Sequence, residues 1–273
     1  MDVKKVSAGG QQIAYYESEG TGPNVILIHG NSCSSLSFKA QLEGEFGQKY
    51  HVVSIDLPGH GESDPAADPE ATYHMPGYAA VVAEVAKQVG VEDAVLVGWS
   101  LGGHIALEAA SLLPNAAGFV IFGTPPLAYP PDMDNAFQPN PAMAAAFAPE
   151  LTQEQMEGFA AACLAPNSAI ELAPLVADIA RTDGRARATM AASIAPGNYA
   201  DEIEIVQNLD RPLAILHGED EQLVNGSYIS ALEMPTLWRG EVQIIPGAGH
   251  TPQMEAPEQF SALVGAFVDE VTG

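Results

Sequence analysis

Cysteine is the residue class that this sequence has least of, and its scarcity limits the chemistry of the chain. Only two cysteines, Cys33 and Cys163, occur in 273 residues, and they stand far apart. Two isolated cysteines form neither a disulfide framework nor a metal-binding knuckle. This usage favours a reduced, cytoplasmic setting.

Positive charge and long apolar runs are also scarce. Ten lysines and arginines stand against 35 acidic residues, giving a formal net charge of −25. A surface of that sign repels phosphate backbones and anionic lipid headgroups, so we expect neither nucleic acid nor membrane as a partner. No apolar run approaches the roughly 20 residues that span a bilayer. The first ten residues lack the apolar segment of a secretory signal.

The motifs that hold common cofactors are missing as well. The chain carries neither a P-loop nor the glycine fingerprint of dinucleotide-binding folds. It also lacks the His-x-His-x-Asp-His spacing of one class of metal-dependent hydrolases, and His60 has no second ligand near it in sequence. We therefore expect no metal and no organic cofactor.

Glycine, by contrast, is abundant, and one glycine-rich stretch organises the chain. Residues 98–104 read Gly-Trp-Ser-Leu-Gly-Gly-His, directly after the apolar run 94–97 and before a helical pattern at 105–113. The glycines allow a sharp strand-to-helix turn that exposes the hydroxyl of Ser100 beside a helix N-terminus, which favours negative charge. This context is typical of a nucleophile elbow.

Short apolar runs alternate with helical patterns along the rest of the chain. They predict strands at 25–28, 51–56, 118–123, 213–217 and 242–245, with an edge strand at 11–17. Wholly apolar runs of this length are typical of strands buried on both faces of a parallel sheet. The predicted fold class is α/β, with a mostly parallel sheet flanked by helices and functional loops at the carboxyl ends of the strands.

The composition changes after residue 124. Seven prolines fall between 125 and 149, and no strand pattern returns until Pro212, whereas 152–164 and 169–194 look helical. We predict a helical cap at 125–205, inserted into a core domain formed by 1–124 and 206–273. The candidates for a cap pocket are apolar, with plain core packing as their alternative role: Phe137, Met143, Phe147, Met156, Phe159 and Met190.

A serine hydroxyl needs a base and an orienting carboxylate to act as a nucleophile. His250 is the candidate base, because it follows a strand in a glycine-flanked loop. In the chain order serine, acid, histidine, the acid belongs after the strand at 213–217, where Glu219, Asp220 and Glu221 are adjacent. A spacing of three after the glycine of that loop selects Glu221, with Asp220 as the main alternative.

A serine nucleophile also needs two backbone donors for the oxyanion that develops on the attacked carbonyl. The N–H of Leu101 directly follows the nucleophile, and the N–H of Asn31, in the loop after the strand at 25–28, is the natural second donor. The Asn31 amide and the Trp99 indole N–H are candidates for substrate contacts. Their alternative roles are an Asx turn and plain packing.

These motifs resemble the α/β-hydrolases and, more narrowly, the AidH-type N-acyl-homoserine lactonases. The resemblance covers almost the whole chain and rests on the stretches 29–32, 56–61, 98–104, 123–126 and 180–187. It implies a metal-independent serine hydrolase that opens the lactone of bacterial quorum-sensing signals, with Ser100, Glu221 and His250 as the triad. A cap tyrosine expected from the resemblance is Phe159 here, and Tyr199 and Tyr129 are the candidates to replace its hydroxyl.

Three functions remain open at this point. The leading one is a lactonase acting on a small acyl lactone. The second is a broad carboxylesterase, or an acylase that cuts the same signal at its amide. The third is a binding protein without activity, against which the complete serine, acid and histidine set argues. A monomer is compatible with all three.

Overall fold

The computed structural model describes residues 1–273, and eight strands form one sheet. The strands are β1 (Lys4–Ala8), β2 (Gln11–Glu17), β3 (Asn24–Ile28), β4 (His51–Ile55), β5 (Val95–Trp99), β6 (Gly118–Phe122), β7 (Leu213–Gly218) and β8 (Gln243–Ile245). Their order is β1-β2-β4-β3-β5-β6-β7-β8. β1–β2 and β2–β4 pair antiparallel, and all other pairs are parallel. The predicted fold class is therefore confirmed.

The central strands are apolar because both of their faces are covered. Every residue of β5 and β6 is buried, and successive side chains of a strand point to opposite faces of the sheet. The strand at 11–17 is present, but the prediction that it lies at the edge is wrong. β1 pairs with β2 on the outside, through residues 4–8, which alternate weakly and give little strand signal.

Thirteen helices accompany the sheet. They are α1 (Lys39–Glu43), α2 (Glu45–Lys49), α3 (Pro69–Thr72), α4 (Met75–Val89), α5 (Leu101–Ala109), α6 (Met133–Ala136), α7 (Gln153–Ala162), α8 (Leu172–Arg181), α9 (Gly184–Ile194), α10 (Glu202–Asn208), α11 (Gly226–Ser230), α12 (Pro252–Glu255) and α13 (Pro257–Thr272). Three 3₁₀ segments lie at Ser35–Phe38, Pro141–Phe147 and Trp238–Gly240. None of the helices combines the length and the apolar character needed to cross a bilayer.

The segment between β6 and β7 contains helices α6 to α10 and adds no strand to the sheet. Its division from the core at residues 125 and 205 stays a prediction. The two ends of the segment meet, because the Leu127 N–H donates to Glu202 Oε2 and the Glu202 N–H donates to the Leu127 carbonyl, each at 2.8 Å.

The helical pattern predicted across 169–194 is broken into α8 and α9. Asp183 ends the continuity, because its carboxylate accepts from the Arg185 N–H and starts α9 as a cap. The N–H of Asp183 itself donates to the Gly59 carbonyl at 2.9 Å, so the break also ties this segment to the core.

Candidate active site

The turn between β5 and α5 holds Ser100 in a strained conformation. Ser100 has φ 53° and ψ −118°, a region that non-glycine residues rarely adopt. Its N–H donates to the Phe122 carbonyl at 2.8 Å, and its carbonyl accepts from the Thr124 hydroxyl at 2.8 Å. A side chain on Gly102 would collide with the Ile28 carbonyl, which explains the glycine there. The turn therefore presents the Ser100 side chain on the wall of a cavity.

His250 and Glu221 form a buried pair beside the same cavity. His250 Nδ1 lies 2.7 Å from Glu221 Oε2, and the residues are only 4% and 8% exposed. Because a carboxylate accepts, Nδ1 carries the proton that it donates to Glu221, and Nε2 is the ring nitrogen left for another partner. Asp220 and Glu219 are exposed, so the structure selects Glu221 as the carboxylate next to His250.

The pKa of Glu221 lies below its ordinary value. Burial alone would raise this pKa, but the attraction of His250, its hydrogen bond and a 2.7 Å bond from the Leu223 N–H outweigh burial. The carboxylate therefore stays ionised and able to orient the imidazole. Ser100 Oγ makes no hydrogen bond in the structure. The hydrogen bond between a nucleophile and its base often forms fully only when substrate binds.

Gly123, directly after β6, sets the position of the imidazole ring. Gly123 has φ 59°, and a Cβ placed there would lie 2.6 Å from His250 Cε1 and 2.9 Å from Nδ1. The ring thus packs on bare backbone. No other residue type fits both the conformation and the space.

Asn31 and Leu101 lie on the cavity wall with Ser100. Their backbone N–H groups have no acceptor within the protein, which leaves both free to bind a ligand oxygen. The Asn31 side chain is engaged, because its Nδ2 donates to the Ala146 carbonyl at 2.7 Å. Trp99 is 1% exposed, lines the cavity and has an indole N–H without a partner. The indole N–H is itself fully buried, so a ligand contact by Trp99 stays a prediction.

Apolar side chains form most of the cavity, which has 14 hydrophobic residues among its 19. Five of the six predicted cap candidates line it, namely Phe137, Met143, Phe147, Phe159 and Met190. Met156 does not. Neither Tyr199 nor Tyr129 replaces the hydroxyl missing at Phe159, because both lie outside the cavity and donate to backbone carbonyls.

An arginine that motif reasoning passed over joins the segment between β6 and β7 to the loop after β3. Arg187 is 4% exposed and has no carboxylate partner; its guanidinium donates to the carbonyls of Ala148, Pro149 and Ile179 and to Ser32 Oγ. Burial lowers the pKa of Arg187. Arg187 lies in the stretch 180–187, which the sequence comparison of motifs singles out. Its partner Ser32 lies 155 positions away, so local sequence could not reveal the contact.

His29 lies beneath this loop in a fixed tautomer. Its Nδ1 donates to the Gly30 carbonyl at 2.7 Å, and its Nε2 accepts from the Leu57 N–H at 3.0 Å. Burial lowers the pKa of His29 to about 4. Burial, together with the neighbouring His29, lowers the pKa of His60 to about 3. Both histidines therefore act as neutral structural groups. The structure contains no cluster of three or more His, Cys, Asp or Glu side chains that could hold a metal ion.

Comparison with known proteins identifies the family of this chain. A family model for the alpha/beta hydrolase family matches residues 25–263, so the chain belongs to that family. Within it, the chain is of the AidH type. The solved structure of the N-acyl homoserine lactonase AidH complexed with N-butanoyl homoserine is 39% identical, covers 100% of this chain and 98% of that one, and has a TM-score of 0.95.

Curated relatives carry a different activity. The pimeloyl-[acyl-carrier protein] methyl ester esterase of Xylella fastidiosa (strain 9a5c) is 29% identical over 268 residues, which are 93% of this chain and 98% of the relative. The protein of the same description from Xanthomonas axonopodis pv. citri (strain 306) is 30% identical over 270 residues, 92% and 97% of the two chains. Hydrolysis of an ester bond is common to both groups.

Proposed function

We propose that this protein is a serine hydrolase that opens the lactone ring of N-acyl homoserine lactones, with Ser100, His250 and Glu221 as its catalytic triad. The observation that carries the choice of substrate is the 39% identity to AidH over the whole chain, with a TM-score of 0.95. N-Butanoyl homoserine, the ligand named for that structure, is what remains when water opens N-butanoyl homoserine lactone.

In the first step, Ser100 Oγ attacks the lactone carbonyl carbon and its proton passes to His250 Nε2. Glu221 holds the ring through Nδ1 and stabilises the imidazolium that forms. The N–H groups of Asn31 and Leu101 bind the oxyanion, an interaction whose loss typically costs about 3 kcal/mol of transition-state stabilisation. The ring C–O bond then breaks, and the leaving oxygen takes the proton from His250.

In the second step, water releases the product. The leaving oxygen stays tethered in the acyl group, so the acyl-enzyme is a hydroxyacyl ester of Ser100. His250 takes a proton from water, the hydroxide attacks the ester carbonyl, and Ser100 regains its proton. The product is an N-acyl homoserine, one water heavier than the lactone.

The shape of the cavity supports cleavage of the lactone over cleavage of the amide. The apolar wall suits the acyl chain, which leaves the polar ring beside Ser100 and Asn31. An ester is also intrinsically easier to cleave than an amide, whose nitrogen must be protonated as it leaves. Both features favour a lactonase over an acylase.

Mass analysis of the products tests the proposal. Incubation with N-hexanoyl homoserine lactone should give a single product one water heavier, which acid converts back to the lactone. Equal amounts of hexanoic acid and homoserine lactone would instead identify an acylase. Activity should persist in EDTA, because no step uses a metal.

The nucleophile has its own test. Ser100→Ala should fold with an unchanged circular dichroism spectrum and lose about 10⁵-fold or more in turnover, since triad members fail as a unit. Retention of a tenth of the activity in a metal-free preparation would contradict the assignment.

The curated relatives support a second candidate, an esterase for methyl esters of acyl chains. A parallel assay with dimethyl pimelate separates the two. We expect kcat/KM for the lactone to exceed that for the methyl ester by at least about tenfold, the equivalent of one well-made substrate contact. The reverse order would favour the esterase.

A further inference from the structure

A second histidine–carboxylate pair lies on the cavity wall, outside the triad. His104 Nδ1 is 2.8 Å from both oxygens of Glu202. Glu202 is completely buried, and His104 is 6% exposed. Glu202 also accepts from the Leu127 N–H, and no lysine or arginine contacts it. The pair is thus a built polar feature within an otherwise apolar part of the cavity.

One nitrogen of this pair faces the cavity. The carboxylate takes the Nδ1 proton of His104, which leaves Nε2 as the remaining polar atom of the ring. Nε2 of His104 makes no hydrogen bond within the protein, and it is not fully buried. It is therefore accessible, and the space next to His104 is the cavity that it lines.

The other polar groups of the cavity wall either have another role or bind more weakly than the His104 nitrogen. Ser100, His250 and Asn31 serve the proposed reaction, and the Trp99 N–H is fully buried. Cys163, the one other polar side chain on the wall, is a weak hydrogen-bonding group. His104 is left as a strong hydrogen-bonding group among residues such as Leu127 and Met190, which suit an acyl chain.

We propose that His104 Nε2 binds an oxygen substituent on the third carbon of the acyl chain, so that the cavity selects N-(3-oxoacyl) or N-(3-hydroxyacyl) homoserine lactones. Glu202 acts as the positioning residue for the ring. This inference rests on the proposed function, since it describes the acyl side of the same substrate.

The dimensions of helix and substrate agree with this placement. His104 follows Ser100 by four residues, and four residues of helix advance about 6 Å on the same face. Five bonds separate the lactone carbonyl carbon from the third acyl carbon, and an extended chain covers about 6 Å in five bonds. With the lactone carbonyl at Ser100, the third acyl carbon thus comes level with His104.

The chemistry of the ring suits both substituents. A neutral His104 accepts at Nε2 from a hydroxyl, and a protonated His104 donates at Nε2 to a hydroxyl or a carbonyl oxygen. An unsubstituted chain leaves this nitrogen without a partner once water is displaced, and an unpaired polar group lowers affinity.

The test compares three lactones of equal chain length: N-hexanoyl, N-(3-oxohexanoyl) and N-(3-hydroxyhexanoyl) homoserine lactone. The wild-type enzyme should show kcat/KM at least about fivefold higher for one of the oxygenated substrates than for the plain one, as one net hydrogen bond provides. In the double variant His104→Phe/Glu202→Gln this ratio should fall to about one. A ratio on one preparation does not depend on how much of the protein is folded.

Control variants guard against misreading the ratio. Met156→Leu, in the segment between β6 and β7 but outside the cavity, should leave the ratio unchanged. His104→Gln keeps a polar group and should retain part of the preference, and it replaces the double variant if that variant does not fold. A wild-type ratio of one, or a ratio that survives the loss of His104, would overturn the inference while lactone hydrolysis stands. Absence of hydrolysis of all three lactones would instead overturn the proposed function.

Discussion

The floor and the roof of the cavity are built by different means. Backbone geometry fixes the floor, which we define as the strand-end residues Gly30, Asn31, Trp99, Ser100, Leu101, Gly123 and His250. The roof consists of apolar side chains from the cap segment, Met143, Phe147, Phe159 and Met190. In the floor, a Cβ on Gly123 would lie 2.6 Å from His250 Cε1 and one on Gly30 would lie 3.2 Å from Ser100 Cβ, whereas the roof residues are flexible or aromatic and can adapt.

This difference matches what each region has to do. Catalytic groups lose about 100-fold in rate when displaced by about 1 Å, so they need a support that does not move. An acyl chain needs only apolar contact area of suitable size. Two polar links, Asn31 to Ala146 and Arg187 to Ser32, join the chain around the floor to the segment that carries the roof.

The largest effect should come from breaking the orienting bond in the floor. Glu221→Gln should lower turnover by about 10³- to 10⁴-fold, because a neutral amide neither fixes the Nδ1 tautomer nor stabilises the imidazolium. Asp220→Asn, one residue away and exposed, is the matched control and should retain nearly full activity. Steady-state kinetics decide the matter. A crippling effect of Asp220→Asn would move the acid by one residue.

The packing of His250 on Gly123 predicts the next effect. Gly123→Ala should lower kcat by about 100-fold, because the new Cβ would push the imidazole away from its position. Gly90→Ala is the control: its φ is 80° and no atom lies within 4 Å of the new Cβ, so the variant has the same backbone strain without the contact. Equal kinetic effects of the two variants would mean that strain, not the ring position, is responsible.

Acid should destabilise the packing beneath the floor, where the rings of His29 and His60 lie against each other. The folded-state pKa values of His29 and His60, about 4 and about 3, lie below the ordinary 6.5, so the unfolded chain binds more protons as the pH falls below 6.5. Their stabilising effect is complete above pH 6.5 and is lost towards pH 4, at up to about 1.4 kcal/mol per pH unit for each histidine. Urea unfolding at pH 8, 6.5 and 5.5 measures this slope.

His60→Phe should flatten that slope by about one histidine's share. At pH 8, where both rings are neutral, the variant serves as its own reference for packing changes. An unchanged slope would show that His60 does not carry the effect.

The smallest effect is expected in the roof. Met143→Ala should reduce the preference for long over short acyl chains by about fivefold and leave kcat for N-butanoyl homoserine lactone nearly unchanged, because it removes apolar contact and no catalytic group. Met156→Ala, the same change in the cap segment but outside the cavity, should alter neither value. A large drop in kcat for Met143→Ala would erase the distinction between floor and roof.

The floor was the region most open to prediction from sequence. Gly98 and Gly102 around Ser100, and the loop of Glu219 to Glu221, are local patterns in which backbone requirements show directly as residue type. Local spacing also chose Glu221 over Asp220, and the structure brings it to His250. That these residues act as a triad stays a proposal.

The four roof residues were among the cap candidates inferred from the sequence. The links were beyond sequence reasoning, because they depend on partners distant in the chain. His104 meets Glu202 across 98 positions, and Arg187 meets Ser32 across 155. Met156 has the same apolar character as Met143, and nothing in the local pattern separates them. The suggested hydroxyls of Tyr199 and Tyr129 failed for the same reason, since their carbonyl partners decide where the rings lie.

The meeting of Leu127 with Glu202 has a consequence for protein engineering. Reciprocal backbone and side-chain bonds close the segment between these two residues into a loop whose ends touch. Segments with neighbouring ends tolerate replacement well, because the host chain has no gap to span. Grafts cut at 128 and 201 would leave the elbow, His250 and the glycine beneath its ring untouched. A library of transplanted segments could then be screened for new preferences in acyl-chain length, with the floor residues unaltered.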